Sequence, residues 1–461
     1  MKRLVALLLT LVLSFCLFTA CAQNATETPA PTPEASTTSS EATPEAASTD
    51  KQTTETASGA PDFTGTTVNA LIFKSLDTDY IIETLAPRLK AETGIELVVN
   101  QVPYEEVRAA QLADANGAQQ YDIINPCTEW SYEYRQFSAP IDEYIGKEGY
   151  PDIERDDLID FVFQGFNPTG ETYFIPYQPD TRVFFFREDL LAEEGLEVPK
   201  TWDELLEAAK RLTKDTDGDG KIDQYGFVFS AQRGWNLTLV WVPFMFSAGG
   251  DLFDGTQPVF NSQAGLDAIN FLKELKQYCP PDLDAYGEYE VNAAAVNGTA
   301  AMGVSASSIT PEIEAETSPV KGLMGTAEFP VQTAGFTPKY SAGMGGWAFG
   351  VSNYSKVKDA AAYTLMWLTS KEIVTEMEIH GRMHASRYSE ATNEELLAVN
   401  PHVSTIVDVL AKSKIFYEGI EGAAIGELVN LRISQAVSGE MDAQEALNLA
   451  AQECSEYLAN N

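Results

Sequence analysis

From Val68 to Asn125 short apolar runs alternate with amphipathic stretches, and this alternation restricts the chain to an α/β architecture. Val68–Phe73 predicts a strand, and Tyr80–Thr93 a helix ended by Gly94. Ile95–Gln101 predicts a second strand, Tyr104–Ala115 a second helix and Tyr121–Asn125 a third strand. Successive β-α-β units cross over right-handedly and build a parallel sheet. In open sheets of this kind ligands lie beyond the carboxyl ends of the strands. The loops after Phe73 and after Asn125 are therefore the first places to look for a site.

What precedes this region reads as export machinery. Lys2 and Arg3 stand before an apolar run from Leu4 to Phe18, which has the form of a secretory leader over residues 1–20. The run is too short for a comfortable membrane span. It ends in Phe18-Thr19-Ala20-Cys21, which resembles a bacterial lipobox, so Cys21 is the expected lipidation site and a membrane anchor. Cleavage within Ala20-Cys21-Ala22 would instead release the chain. Thr, Ala, Pro, Glu and Ser supply 34 of the 40 residues from 22 to 61, with no aromatic, Leu, Ile, Val or Met. Such a stretch buries too little apolar surface to offset its chain entropy. Residues 21–61 are read as a lipidated Cys and a disordered tether, spanning roughly 35 Å on average.

The net charge of −38 disfavours nucleic acid and anionic lipid surfaces as partners, because both repel such a field. It suits neutral or cationic ligands. Three histidines leave little material for a His-based relay, and Cys127, Cys279 and Cys454 are an odd set of which one pair could bridge.

Further along, Thr201 and Glu204 form a capping box ahead of Leu205, Leu206, Ala209 and Leu212. A helix over Ala264–Tyr278, a strand at Ala301–Val304 and a C-terminal helix begun at Asp442 complete the outline. At this point the chain resembles a known family. IPYQPDTRVFFFREDL, VPKTWDEL, NGTAAMGVS and GGWAFGVSNYSKVKDAAAYTLMWL, following a lipobox and tether, are similar to extracellular solute-binding proteins of ABC importers. The resemblance is to the carbohydrate-binding class that includes the maltose-binding type. It implies a two-lobed, periplasmic-binding-protein-like α/β fold over residues 62–461, with a ligand cleft crossed by hinge strands. Lobe 1 would hold about 62–182 plus part of about 340–461, and lobe 2 about 188–340, with C-terminal helices packing across both. Val183–Phe186 and Trp347–Val351 would be the crossing strands. It also implies a monomer, lipid-anchored on the outer face of the membrane, that hands its solute to permease subunits.

Aromatic rings carry the ligand reading, since a Trp or Tyr face suits the apolar face of a sugar while carboxylates bind its hydroxyls. Trp130 and Glu129 follow the third strand. Tyr177 and Asp180 precede the first crossing, Trp347 opens the second, and Trp235 belongs to the second lobe. Trp202 and Trp367 are expected in the core. Asp215, Asp217, Asp219, Lys221 through its carbonyl, and Asp223 follow the spacing of a calcium loop, with Gly220 at the sharp turn. Gly226 stands where the bidentate Glu normally closes such a loop, so the expected ion is a structural Ca2+ with an incomplete ligand set. The alternative is an acidic turn without an ion. Gly343–Ala348 matches a dinucleotide fingerprint but precedes a strand, which removes that reading. His380 and His384 lack the Glu of a zinc motif. Three functions compete: capture of a sugar or oligosaccharide without chemistry, binding of a polyamine or other cation, and a glycoside hydrolase using two acids.

Overall fold

The computed structural model describes residues 61–380 and 386–461. The leader, Cys21, nearly all of the tether and His384 lie outside the described residues.

In chain order the strands are β1 (Thr67–Phe73), β2 (Glu96–Val102), β3 (Ile123–Ile124), β4 (Ser138–Ala139), β5 (Phe174–Arg187), β6 (Val228–Phe229), β7 (Phe253–Asp254), β8 (Gln257–Pro258), β9 (Met302–Ala306), β10 (Met324–Ala327) and β11 (Met344–Ser352). β1 pairs in parallel with β2 and β3, as two β-α-β crossovers require. The first helical stretch starts at Leu76, earlier than the apolar pattern suggests, because the Ser75 hydroxyl accepts from Thr78 N. It then widens to a π-turn over Ile81–Leu85 just before Pro87, which has no N–H to donate to the preceding turn. The next helix spans Tyr104–Ala115.

The sheet as a whole is mixed, in contrast to the parallel arrangement expected from the first units. Its order is β2-β1-β3-β11-β5-β9-β6, and β11 runs antiparallel to both β3 and β5. The strand that returns from late in the chain enters between two early ones, a pairing that local sequence does not encode.

Among the described residues two large apolar cores sit on this sheet, with a smaller cluster around Phe166 and Phe174. One gathers Val68, Ile123, Ile175, Phe349, Leu365 and Met377. The other gathers Val183–Phe186, Trp241, Phe271, Val304, Ile406 and Val429. β5 belongs to both. Its first half, Phe174–Thr181, pairs with β11, and its second half, Arg182–Phe186, pairs with β9. β11 crosses the other way, from Met344 in the second core to Trp347, Phe349 and Val351 in the first.

Trp202 is buried, stacked on Phe271 at 4.5 Å, and donates its indole N–H to Ser247 Oγ at 3.0 Å. Trp367 is buried in the first core. Cys127, Cys279 and Cys454 are all free and buried, so none of them forms the bridge considered above. Cys127 lies in the first core and the other two in the second. Among the described residues no helix is long and apolar enough to cross a membrane.

The chain passes from the first core to the second once more near Arg387. Its guanidinium is fully buried and donates to Ile153 O at 2.9 Å and Thr369 O at 2.7 Å. Glu390 accepts from the backbone N–H groups of Ser386 and Arg387. Glu378, on the neighbouring helix Lys371–Ile379, keeps both carboxylate oxygens without a hydrogen bond. Burial raises Glu378 well above the usual carboxylate range and Glu390 to about 8. Asp157 and Glu154, paired with Lys371, add to the negative field around this pocket.

A carboxyl group raised on folding holds protons that the unfolded chain releases. The stability this gives is complete below the ordinary carboxylate pKa and is lost as pH rises toward 8. Melting temperature should therefore fall between pH 5 and pH 8.5. Glu378→Gln should flatten that fall, gaining on the order of 1–3 kcal/mol over wild type at the alkaline end and little at pH 5. Parallel pH profiles for the two proteins would show that the pair ionises freely.

Candidate functional site

The carboxyl ends of β1 and β3 in the first lobe face those of β6 and β9 in the second across the crossing strands. Loops from all four ends supply the side chains. After β1 comes Asp77, and after β3 the 3-10 turn Thr128–Trp130. After β6 the helix Trp235–Ser247 begins, with Gly234 at its cap in a conformation (φ +146°) that side chains disfavour. After β9 comes Ser307.

Glu129 and Trp235 approach each other from opposite lobes. Cys127 Sγ and, at 3.4 Å, Thr128 Oγ1 donate to Glu129 Oε2. Burial raises the Glu129 carboxyl, and among the groups that offset this is the Trp235 side chain. The Trp235 ring meets Phe416 edge to face at 4.9 Å. A Cβ on Gly426 would stand 3.3 Å from that ring, so the glycine permits the close approach. Thr128, Glu129, Trp235, Met344, Ile415 and Phe416 surround a cavity of only about 10 Å³. Larger hollows, of about 270 Å³ beside Tyr144 and 140 Å³ beside Phe329, lie elsewhere and contain none of the predicted site residues.

Trp130 is half-buried and meets Trp347 edge to face at 5.6 Å. Trp347 is 8% exposed and stacks on Phe73 at 4.0 Å. Tyr177 is 1% exposed and lies flat against Phe349 at 4.0 Å, with its hydroxyl 3.5 Å from Asn125 Nδ2. The rings of Tyr177 and Trp347 are thus held in the first core, each with one face stacked on another ring. Asp180 accepts from Ser307 Oγ at 2.8 Å; burial raises its carboxyl, and the Arg182 charge opposes the rise.

Sequence reasoning missed the partners. Gln178 Nε2 donates to Asp77. Arg182, 3% exposed, donates to Glu288 Oε2 at 3.1 Å and to Asn236 Oδ1 at 2.7 Å. The available signal was the spacing of Gln178, Asp180 and Arg182 at every second position of a strand.

The acidic loop lies outside this cleft. Carboxylate oxygens of Asp215, Asp217 and Asp223 fall within 4.8 Å of one another. Asp219 does not join them: its Oδ1 accepts from Lys221 N at 2.8 Å and its Oδ2 lies 3.5 Å from Lys221 Nζ. Asp215 accepts from Gly218 N and Gly220 N, which folds the loop around its own carboxylates. The three clustered acids are a hard-oxygen set of the kind calcium takes.

A family model for the bacterial extracellular solute-binding protein matches residues 75–375. The chain belongs to this family. A mannitol-binding protein of Pseudomonas aeruginosa is 30% identical over 427 residues, covering 86% of this chain and 93% of that one. A probable amino-acid ABC transporter periplasmic-binding protein of Sinorhizobium fredii is 27% identical over 356 residues, covering 75% and 78%. Among solved structures, a solute-binding protein of Agrobacterium radiobacter in complex with ribitol superposes with a TM-score of 0.73 at 24% identity. It covers 86% of this chain and all of that one. A maltose-bound protein of T. maritima gives 0.74 at 19% identity, covering 85% and all of that chain. Both share the two-lobed fold of this solute-binding protein.

Proposed function

We propose that this chain captures a neutral polyhydroxylated solute, a sugar alcohol or small sugar, and delivers it to the permease of an ABC importer. The observation that carries this reading is the make-up of the cleft. Three of its carboxylates already have a donor from the protein: Asp77 from Gln178, Glu129 from Cys127 and Thr128, Asp180 from Ser307. A carboxylate held in this way is a fixed acceptor for a hydroxyl more than an open counter-charge for a cation. The rings of Trp130 and Trp235 supply apolar flanks. Relatives named for mannitol or solved with ribitol support the same solute class. No bond is made or broken. Both lobes contact the solute, so binding favours their closed arrangement over the open one.

In a thermal-shift panel, D-mannitol, ribitol or maltose should raise the melting temperature, by about 2.7 kcal/mol of stability at a hundredfold excess over Kd. The sugar should be recovered unchanged after incubation. A response to spermidine alone would replace this reading with the cation alternative, and released product would replace it with a hydrolase.

We infer further that Cys21 carries the lipid that holds the protein, as a monomer, on the outer face of the cell membrane. Cys21→Ala should move it from the membrane fraction to the medium in its native host, whereas unchanged partitioning would end the anchor reading. The acidic loop is read as a structural calcium site built on Asp215, Asp217 and Asp223, with Asp219 and the Lys221 carbonyl as outer contributors. Chelator should lower the melting temperature of wild type and leave Asp217→Ala nearly unmoved. Equal responses would make the loop an acidic turn.

A further inference from the structure

The pairing of β5 with β11 breaks step once, between Trp347 and Ala348. Trp347 sits opposite Gln178 and Ala348 opposite Pro176, so Tyr177 is an extra residue on β5. A bulge of this kind shifts the alternation of side chains by one. Before it Ile175 faces the first core; after it Gln178, Asp180 and Arg182 share one face as successive alternate residues. Each reaches a different loop. Gln178 goes to Asp77 of the first lobe, while Asp180 and Arg182 go to Ser307 and to Asn236 with Glu288 of the second. The row therefore runs along the floor of the cleft from one lobe to the other.

Its two ends carry unmet hydrogen-bonding capacity of opposite kind. Gln178 Oε1, an acceptor, and Arg182 Nε, a donor, are both buried and without partners. Buried polar atoms are seldom left so, because an unmade bond costs more than a made one contributes. Both side chains are already fixed through their other atoms, Gln178 through Nε2 and Arg182 through both terminal nitrogens. What remains is oriented and cannot turn away without breaking those bonds.

We propose that Gln178 and Arg182 are specificity-determining residues for the solute, Gln178 Oε1 accepting from one hydroxyl and Arg182 Nε donating to another. This rests on the polyol reading above and names the contacts that would enforce it. The two residues are four strand positions apart, about 13 Å at their Cα atoms, and are tied to opposite lobes. One hydroxyl does not serve both, so the solute needs hydroxyls spread along its length. A hydroxyl is both donor and acceptor, which is why a polyol can satisfy an acceptor at one end of the row and a donor at the other.

The test is calorimetric titration of the full chain with D-mannitol and ribitol, and with the 1-deoxy and 3-deoxy analogues of mannitol. Wild type is compared with Arg182→Lys, which keeps the charge but has no Nε fork, and with Gln178→Met, which keeps the length but has no amide acceptor. Arg182→Lys should bind the better polyol at least tenfold more weakly, about one hydrogen bond's worth. At least one deoxy analogue, having already lost the matching hydroxyl, should be weakened less than threefold by the same change. Gln178→Met should show its own selective loss, spared with a different analogue. Melts of the solute-free variants check that each is folded, and a uniform loss for all analogues would assign the residues a structural role and overturn the inference. If wild type binds polyols and both variants match it, the inference fails and the polyol reading stands. If wild type binds no polyol or sugar, both fall together.

Discussion

At Thr181 the two lobes are one structure. Its hydroxyl lies 3.0 Å from Gly343 O and 3.1 Å from Ser413 Oγ, and its backbone N–H reaches Ser307 Oγ at 3.4 Å. Those partners come from the residue just before β11, from the helical C-terminal part and from the loop after β9. Immediately before Thr181 the strand is paired to the first lobe, and immediately after it to the second. The side chains that reach into the cleft on either side are held in place by this change of partner. Fully buried, the hub has no water to substitute for a lost bond, so its satisfied network fixes the strand's path.

The electrostatics of the cleft follow from that path. The chain is strongly acidic, with 68 acids against 30 bases, yet the floor strand places Arg182 between Asp180 and Glu288. There the Arg182 guanidinium offsets part of the carboxylate charge, and the Ser307 hydroxyl solvates Asp180. A neutral solute can enter such a site without a net charge being buried, which is the expensive step in a dry cleft.

Local signals in the sequence were reliable where the physics was local. The helix Tyr104–Ala115, the capping box at Thr201 and the cap at Asp442 need only neighbours a few residues away. The entry of β11 between β3 and β5 depends on residues more than 150 positions apart, and no periodicity announces it. The same limit applied at the site. Aromatic and acidic residues near the crossing were visible, and Glu129, Trp130 and Trp235 do gather there. Tyr177 and Trp347 were visible as well, but whether a ring lines a cleft or supports it depends on what covers its face. Phe349 and Phe73 do that, from elsewhere in the fold. Arg182 went unnoticed because its partners Asn236 and Glu288 are 54 and 106 residues away.

The antiparallel pair β5 and β11 has one more consequence. The two strands cross between lobes side by side, about 4.8 Å apart, as hydrogen-bonded neighbours do. Two such pins define a line. Rotation about it bends both strands and leaves the ladders of each sheet intact, while any other displacement of one lobe shears hydrogen bonds. The strand pair therefore favours one coordinate of motion over the others, beside the third passage near Arg387. A partner that touches both lobes at once needs no view of the solute: it measures a single angle, and every solute that closes the cleft equally far is reported to it as the same message.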